Sequence, residues 1–140
     1  MRYDYVQAYI NRGDVLLKLN RTEAALSVYR KALTFEPHNP DLHFNLGVIA
    51  LEQGDPHQGL RHMNQALEFE PNHPESLLNT AIVIQEMGVE ELKPLATNRL
   101  LKLQKLQPEN ERVYFNLGML AMDDKKVRLP IFMVHKTKMY

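Results

Sequence analysis

A period of 34 residues runs through most of this 140-residue chain. The segments FEPHNP at 35–40 and FEPNHP at 69–74 are nearly identical, and they place Pro37 and Pro71 one period apart. Self-similarity at such a period is typical of arrays in which each unit is one supersecondary element that packs against its neighbours. The chain is therefore predicted to be a repeat array.

The repeats have unequal lengths. The third repeat is three residues longer than the first two, and the extra residues fall between Gly88 and Ala96, where a turn is expected. The predicted bounds are an N-terminal extension at 1–5, repeats at 6–39, 40–73 and 74–110, the first helix of an incomplete fourth repeat at 111–126, and a non-repeat basic and apolar tail at 127–140.

A helical period occurs twice within each repeat. Apolar residues recur at helical spacing on both sides of the breaker Gly54-Asp55-Pro56. Prolines at 56 and 94 suit the first turn of the second helix of a repeat. Prolines at 37, 71 and 108 stand where the second helix of each repeat is expected to end. The pattern predicts an all-α array of antiparallel helix pairs. The two apolar stripes of the second repeat are Leu42, Leu46 and Ile49, and Leu60, Met63 and Leu67.

The repeats resemble the tetratricopeptide repeat, whose pattern W-x₂-L-G-x₂-Y…A-x₃-F…P has this length. Small residues stand where two helices touch, bulky residues stand where they leave a gap, and a proline closes the unit. The resemblance covers about residues 6–122 and implies a solenoid that forms a right-handed superhelix. In the second repeat the pattern is met by His43, Leu46, Gly47, Ala50, Gly59, Met63, Ala66 and Pro71.

One asparagine stands at the same register position in every repeat, twice within the word FNLG at 44–47 and 115–118. Asparagine is a mediocre helix former, so four in register need a reason. One interpretation is a row of amides on the concave face that holds the main chain of a bound peptide, similar to the asparagine ladder of the O-GlcNAc transferase superhelix. The other is that each amide bonds to the neighbouring helix or to water and sets the repeat spacing. The residues are Asn11, Asn45, Asn79 and Asn116.

The positions beside these asparagines are mostly apolar. Chaperone-binding tetratricopeptide domains hold a carboxylate with lysine and arginine there, so a carboxylate clamp is not expected. The lining favours an extended or helical polypeptide with hydrophobic side chains, unless further repeats or the chain's own tail cover the groove. The predicted contacts are Ile10, Phe44, Leu78 and Phe115, directly before the asparagines, and Val48, Ile82 and Met119, three residues after them.

Motifs for enzyme chemistry are weak. His57 and His62 are five residues apart, which does not place two metal ligands on one helical face. No phosphate-binding loop or nucleophile elbow is present, and there is no cysteine. The prediction is no catalytic residue, no metal and no cofactor. A net charge of zero argues against nucleic acid as partner, and no apolar run approaches the roughly 18 residues of a membrane span.

Three segments carry a closer resemblance: QAYINRGDVLLKLN at 7–20, AIVIQEMG at 81–88 and YFNLGMLAMDDKK at 114–126. They are similar to the C-terminal repeats of the transmembrane and tetratricopeptide-repeat-containing family. Its members are multi-pass endoplasmic reticulum proteins that act as O-mannosyltransferases, with cadherin-type domains among their acceptors. Their catalytic residues lie in the membrane part. The resemblance implies a luminal or membrane-associated segment that handles an acceptor or partner without performing the transfer.

Two further features bear on this expectation. Asn20-Arg21-Thr22 is an N-glycosylation acceptor pattern in the turn between the first two helices, although about one such match is expected by chance. Pro130 stands where the register requires a small residue within a helix, so the resemblance stops at about Lys126.

The segment 127–140 is interpreted as a non-family tail from alternative splicing or a gene-model truncation. It is expected to cap the first helix of the fourth repeat or to stay disordered; the alternative is a basic anchor for anionic lipid or a partner. Since no polar capping helix ends the array, the chain is predicted to self-associate through its C-terminal edge or its groove.

Overall fold

The computed structural model describes residues 2–124, which contain seven α-helices and one short 3-10 helix. The chain divides into two compact units, unit 1 (Met1–Pro71) and unit 2 (Asn72–Tyr140). Unit 1 contains α1 (Arg2–Lys18), α2 (Thr22–Phe35), α3 (Pro40–Glu52) and α4 (Pro56–Phe69). Unit 2 contains α5 (Pro74–Met87), the 3-10 helix (Glu90–Leu92), α6 (Lys93–Leu106) and α7 (Glu111–Asp124).

The predicted all-α class is confirmed, since the described residues form no strand. The helices α2, α4 and α6 end two residues before Pro37, Pro71 and Pro108. The 3-10 helix lies in the segment between Gly88 and Ala96 that carries the three extra residues of the third repeat. Within residues 2–124 no helix is long and apolar enough to cross a membrane. The predictions for the tail at 127–140 lie outside the described residues.

Prolines and short polar side chains set the starts of α3 and α4. Pro40 and Pro56 are the first residues of these helices, a position at which a missing N–H costs nothing. Asn39 Oδ1 accepts from the backbone N–H groups of Asp41 and Leu42 at 2.9 and 3.2 Å. Asp55 Oδ1 accepts from Gln58 N at 3.0 Å. These bonds satisfy N–H groups that the helix itself leaves without an acceptor.

The first helix pair packs through a tyrosine that lies against a glycine. Tyr29 of α2 is fully buried, and a Cβ atom on Gly13 of α1 would come within 2.3 Å of its Cε1 atom. The Tyr29 hydroxyl donates to Asp14 Oδ1 at 2.5 Å. Burial, and then this bond and the negative charge of Asp14, raise the pKa of Tyr29 far above its ordinary value. The phenol therefore joins α1 and α2 as a neutral donor.

The second helix pair packs more closely, backbone on backbone. A Cβ atom on Gly47 of α3 would lie 2.9 Å from the carbonyl oxygen of Gly59 and 2.9 Å from Cγ of Met63, both on α4. A Cβ atom on Gly59 would lie 3.1 Å from the carbonyl oxygen of Gly47. A Cβ atom on Gly59 would also meet the Leu51 side chain at 2.7 Å, so a larger residue at either glycine requires the packing of this crossing to shift. The buried cluster of unit 1 consists of Val6, Ile10, Ala25, Tyr29, Ala32, Leu42, Leu46 and Ile49.

Unit 2 is built in the same way from α5, α6 and α7. The helix α6 packs with both α5 and α7. An alanine at 81 replaces the glycine of the other first helices and is 1% exposed. The buried apolar side chains of unit 2 include Leu77, Ile82, Ile84, Ala96, Leu100, Leu103, Val113 and Leu120.

The two FNLG glycines offer a matched test of the crossing. Gly47→Ala is expected to lower the free energy of unfolding by about 1–3 kcal/mol, because the methyl group overpacks the α3–α4 contact. A Cβ atom on Gly118 meets no atom within 4 Å, so Gly118→Ala is expected to raise the free energy of unfolding by about 0.5–1 kcal/mol through helix propensity. Urea denaturation followed by circular dichroism measures both. Equal effects of the two substitutions would contradict this description.

Candidate functional site

The two first-helix asparagines of unit 1 are accessible. Asn11 on α1 is exposed, and its Oδ1 accepts from Gln7 Nε2 at 3.1 Å. Asn45 on α3 is half-buried. A surface hydrogen bond such as that of Asn11 contributes little net stability, so a ligand amide can replace it at low cost. Unit 1 thus has two first-helix asparagines that are at least partly accessible to solvent.

The two asparagines of unit 2 have a different environment. Asn79 on α5 and Asn116 on α7 are each 2% exposed. Their Nδ2 atoms donate to backbone carbonyls one turn earlier, to Glu75 O at 2.8 Å and to Arg112 O at 2.7 Å. This is the local bond that short polar side chains make within helices. The four amides therefore differ in exposure, with those of unit 1 more accessible than those of unit 2.

One acceptor of this set is unsatisfied. Asn79 Oδ1 is buried and has no hydrogen-bond partner among the residues that the structure describes. Burying such an oxygen without a donor costs about 1–3 kcal/mol, and natural structures hold few of them. A donor from a ligand or from water would recover that free energy.

Most of the predicted apolar contacts belong to the cores of the two units. Only the two phenylalanines of the FNLG words, Phe44 and Phe115, are half-buried and so partly accessible. The remaining predicted contacts are Ile10 and Val48 at 8% exposure, Leu78 at 4%, Ile82 at 2% and Met119 at 6%. Each FNLG word therefore carries the one predicted apolar contact of its unit that is partly accessible.

A polar network on α4 was not recognised from the sequence. Arg61 Nη1 donates to Gln58 Oε1, and Gln58 Nε2 lies 3.1 Å from His62 Nε2. Because the amide oxygen already accepts from Arg61, the amide nitrogen is the group that donates to His62. His62 therefore accepts at Nε2 and carries its proton on Nδ1. The i, i+3, i+4 spacing of the three residues is the signal that could have revealed the network.

The surroundings of His62 oppose its protonation. Burial is the largest cause that lowers the pKa of His62, followed by the positive charges of His43, Arg61 and Arg30. Protonation at Nε2 would also set two donors, His62 and the Gln58 amide, against each other. If the Gln58 amide flipped so that its oxygen faced His62, its nitrogen would face the Arg61 guanidinium, which is also a donor. The α2, α3 and α4 helices of unit 1 thus share a polar cluster that favours neutral imidazole.

A second ring cluster links the loop after α2 to α3 and α4. The Phe69 ring centroid lies 4.5 Å from that of His38 and 5.3 Å from that of His43. His43 Nε2 lies 2.8 Å from Pro37 O and donates to it. The loop residue His38 therefore packs on an aromatic ring.

His73 is hydrogen-bonded to Ser76 and lies near the Glu75 carboxylate, a combination of residue types that also occurs in catalytic sites. His73 Nδ1 lies 2.7 Å from Ser76 Oγ, and Nε2 lies 3.7 Å from Glu75 Oε2. Ser76 is fully buried, so its hydroxyl cannot reach a substrate. The group instead stabilises the first turn of α5, of which His73 is the N-cap residue. Over residues 2–124, no three histidine or acidic side chains are placed to hold a metal ion.

The N-glycosylation pattern lies at the surface. Asn20 is exposed and has φ of 62°, a left-handed conformation that asparagine tolerates better than most residues. Its N–H donates to Leu17 O at 3.0 Å, which closes the end of α1. The side chain is thus sterically open to modification.

Comparison with protein families matches two repeat models. The model described as "TPR repeat" matches residues 13–54, and the model described as "Tetratricopeptide repeat" matches residues 40–73.

Among proteins of known sequence, the chain is 47% identical over 127 residues to human protein O-mannosyl-transferase TMTC3 and 53% identical over 124 residues to Drosophila melanogaster Tmtc3. These matches cover 90% and 89% of this chain but 14% and 13% of the two relatives. The chain thus spans a small part of their length.

Among solved structures, Pseudomonas aeruginosa pilF superposes with a TM-score of 0.77 at 30% identity, over 89% of this chain and 56% of that one. The first TPR domain of Spaghetti (RPAP3) bound to an HSP90 peptide superposes with a TM-score of 0.76 at 15% identity, over 86% of this chain and 95% of that one. Both likenesses agree with the helix-pair fold.

The His62 cluster predicts a loss of stability in acid. The unfolded state keeps the ordinary pKa of about 6.5, whereas the folded state has a lower one, so the unfolded chain binds more protons as the pH falls below that value. The contribution of His62 to the free energy of unfolding is therefore expected to stay constant above this pH and to decrease as the pH falls below it. Urea unfolding between pH 7.5 and pH 5, in about half-unit steps, measures this. His62→Gln is expected to flatten the decline, and His57→Gln, at an exposed histidine of the same helix, is expected to leave it unchanged. The same slope in all three proteins would rule out the assignment.

Proposed function

We propose that this chain, which contains tetratricopeptide repeats, is a protein–protein interaction module that binds an extended or helical polypeptide segment. Within each unit, the segment lies along the first helices, where amide groups bond to its main chain and a phenylalanine contacts its hydrophobic side chains. The proposal concerns binding and assigns no catalytic residue to this chain.

The pairing of amide and aromatic side chains carries this proposal. In unit 1 the exposed amide of Asn11 and the half-buried Phe44 and Asn45 belong to the first helices α1 and α3. Main-chain groups of an extended peptide offer both a donor and an acceptor at each residue, which an amide side chain matches. Apolar contact with Phe44 supplies affinity that does not depend on one peptide sequence.

Unit 2 contributes differently. The unsatisfied Oδ1 of Asn79 is an acceptor that a peptide N–H can use once a small movement admits it. The half-buried Phe115 of α7 corresponds to Phe44. Asn116, Leu78, Ile82, Val48, Ile10 and Met119 are proposed to support these contacts from beneath rather than to touch the ligand first.

A protein of similar fold supports this proposal. The RPAP3 domain, similar in fold, is bound to an HSP90 peptide in its structure. At 15% identity it supports the use of the fold and not the identity of the ligand. The positions here lack the basic residues of a carboxylate clamp, so the proposed ligand is an internal segment with apolar side chains.

Selection from a phage library of random 12-residue peptides, followed by calorimetry with the best synthetic peptide, tests the proposal. Asn11→Ala with Asn45→Ala is expected to weaken binding by about tenfold or more, the loss of two hydrogen bonds of roughly 1 kcal/mol each. Asn98→Ala on α6 is the control, since this exposed asparagine lies on a second helix, and it is expected to leave the affinity unchanged. Unchanged affinity in the double variant, with normal urea unfolding in all proteins, would refute it.

A second proposal concerns the setting. The identity of 47–53% to the TMTC3 relatives over 89–90% of this chain supports a role beside protein O-mannosyl transfer in the endoplasmic reticulum, in which these repeats hold an acceptor or partner. If so, the native protein in intact microsomes resists added protease until detergent is present. Digestion without detergent would argue against a luminal position, and it would leave the peptide-binding proposal intact.

A further inference from the structure

The exposed residues of α6 lie on one side of the helix. Its buried side contains Ala96, Leu100 and Leu103, and α6 packs with both α5 and α7. Since each residue turns the helix by about 100°, the exposed residues fall within an arc of about 140° on the opposite side. We call this side the α6 face. It consists of Pro94, Leu95, Asn98, Leu101, Lys102, Lys105 and Leu106.

The leucines of the α6 face are not required by the helix-pair fold. At the register position of Leu101, α4 has Asn64 and α2 has Arg30. At the position of Leu95, α4 has Gln58. The other second helices therefore pack in the same way without an apolar residue at these two places. The exposed fractions of the three leucines are 37% for Leu95, 42% for Leu101 and 44% for Leu106.

The charge of α6 differs from that of the chain as a whole. Within residues 2–124, α6 is the one α-helix that contains no acidic residue, although the net charge of the whole chain is zero. Lys93 is buried and pairs with Glu90 at 2.9 Å. Lys102 and Lys105 are exposed and stand among the leucines of the α6 face. This side of the helix is therefore both apolar and cationic.

A third cation borders the α6 face. Arg99 is half-buried, and its Nη1 atom has no hydrogen-bond partner among the residues that the structure describes. The guanidinium group stays protonated at neutral pH in proteins, so this group keeps its charge. Hydrogen bonds from a guanidinium to an anionic oxygen are among the strongest that proteins make. An anionic group beside the α6 face would therefore suit Arg99 as well as the two lysines.

We propose that the α6 face binds reversibly to the surface of an anionic lipid membrane. The leucines enter the boundary between headgroups and acyl chains, and the lysines contact the anionic headgroups. A helix that combines an apolar side with lysines and no acid is typical of such interfacial binding. The inference is independent of the proposed peptide binding, which concerns the first helices of the repeats, whereas α6 is a second helix.

Helix stability accounts for only part of this composition. Lys105 lies in the last turn of α6, where a cation interacts favourably with the helix dipole. Lys102 lies before that turn, and the effect falls off within one turn. The exposed leucines gain nothing from the dipole. A ligand that is both apolar and anionic explains all of these residues together.

An acidic polypeptide suits the α6 face less well than a membrane does. Anchor residues at protein interfaces fill pockets in the partner, where they are fully desolvated. The α6 face is the convex side of one helix, with lysines between its leucines. A bilayer surface receives both kinds of side chain, because the leucines can enter its apolar layer while the lysine ammonium groups stay at the headgroups.

A single tryptophan tests the insertion of the α6 face, because the chain contains none of its own. Leu101→Trp in the full chain is mixed with vesicles of phosphatidylcholine and phosphatidylserine in a ratio of about two to one, at about 0.1 M salt. Its emission is expected to shift to shorter wavelength and to be quenched by brominated acyl chains. Tyr5→Trp, at an exposed position on α1, is the control and is expected to show neither effect. An unshifted, unquenched emission of Leu101→Trp would overturn the proposal.

Co-sedimentation with the same vesicles tests the charges. Lys102→Gln with Lys105→Gln is expected to lower the partition coefficient by about tenfold or more. Lys18→Gln with Arg21→Gln removes the same charge from exposed positions of unit 1 and is expected to change it by less than about twofold. Circular dichroism checks that all variants keep their helices.

The leucines and the lipid charge are tested in the same assay. Leu101→Ser with Leu106→Ser is expected to lower the partition coefficient by about tenfold or more. Vesicles of phosphatidylcholine alone are expected to bind the wild type weakly. Equal losses in the two charge variants would contradict the proposal. Binding to poly-glutamate without binding to vesicles would assign the α6 face to an acidic polypeptide and would also overturn it.

Discussion

The contact of α3 and α4 at Gly47 and Gly59 is the constraint on which the construction of unit 1 depends. Each glycine lies near the carbonyl oxygen of the other, so the two helices meet through their backbones. At this separation Leu42, Leu46 and Ile49 reach the side chains of α1 and α2 and form one buried cluster. The same packing leaves the FNLG phenylalanine and asparagine of α3 half-buried on a different face. The spacing of one helix pair thus determines both the core of unit 1 and the partial exposure of Phe44 and Asn45.

Much of the fold could be predicted because its causes are local. A proline at the first helical position determines where α3 and α4 begin. A proline two residues after the last helical residue marks where α2 and α6 end. The small residues at 47, 59, 81 and 96 mark where helices approach one another. The three extra residues of the third repeat could be assigned to a turn, although the 3-10 helix within it could not, because its form depends on the residues packed around it.

The candidate site was less predictable, since equal register does not mean equal burial. Asn11 and Asn79 occupy the same position in their repeats, yet Asn11 is exposed whereas Asn79 is buried, with only 2% of its surface accessible. Their depth depends on which helices lie beside each, and the period carries no such information. The same holds for Gly47 and Gly118, which occupy one position of the FNLG word: among the described residues, a Cβ atom at Gly47 would meet α4, whereas one at Gly118 would meet no atom within 4 Å. The His62 network escaped detection because its geometry depends on one amide orientation.

A double-mutant cycle at the α3–α4 crossing measures the central contact most directly. The free energy of unfolding is determined for the wild type, Gly47→Ala, Gly59→Ala and the double variant. If the two glycines meet as described, the first methyl group already separates the helices, and the loss in the double variant is smaller than the sum of the single losses by about 0.5–3 kcal/mol. Losses that add to within about 0.3 kcal/mol would show that the two positions do not touch, and would contradict the account.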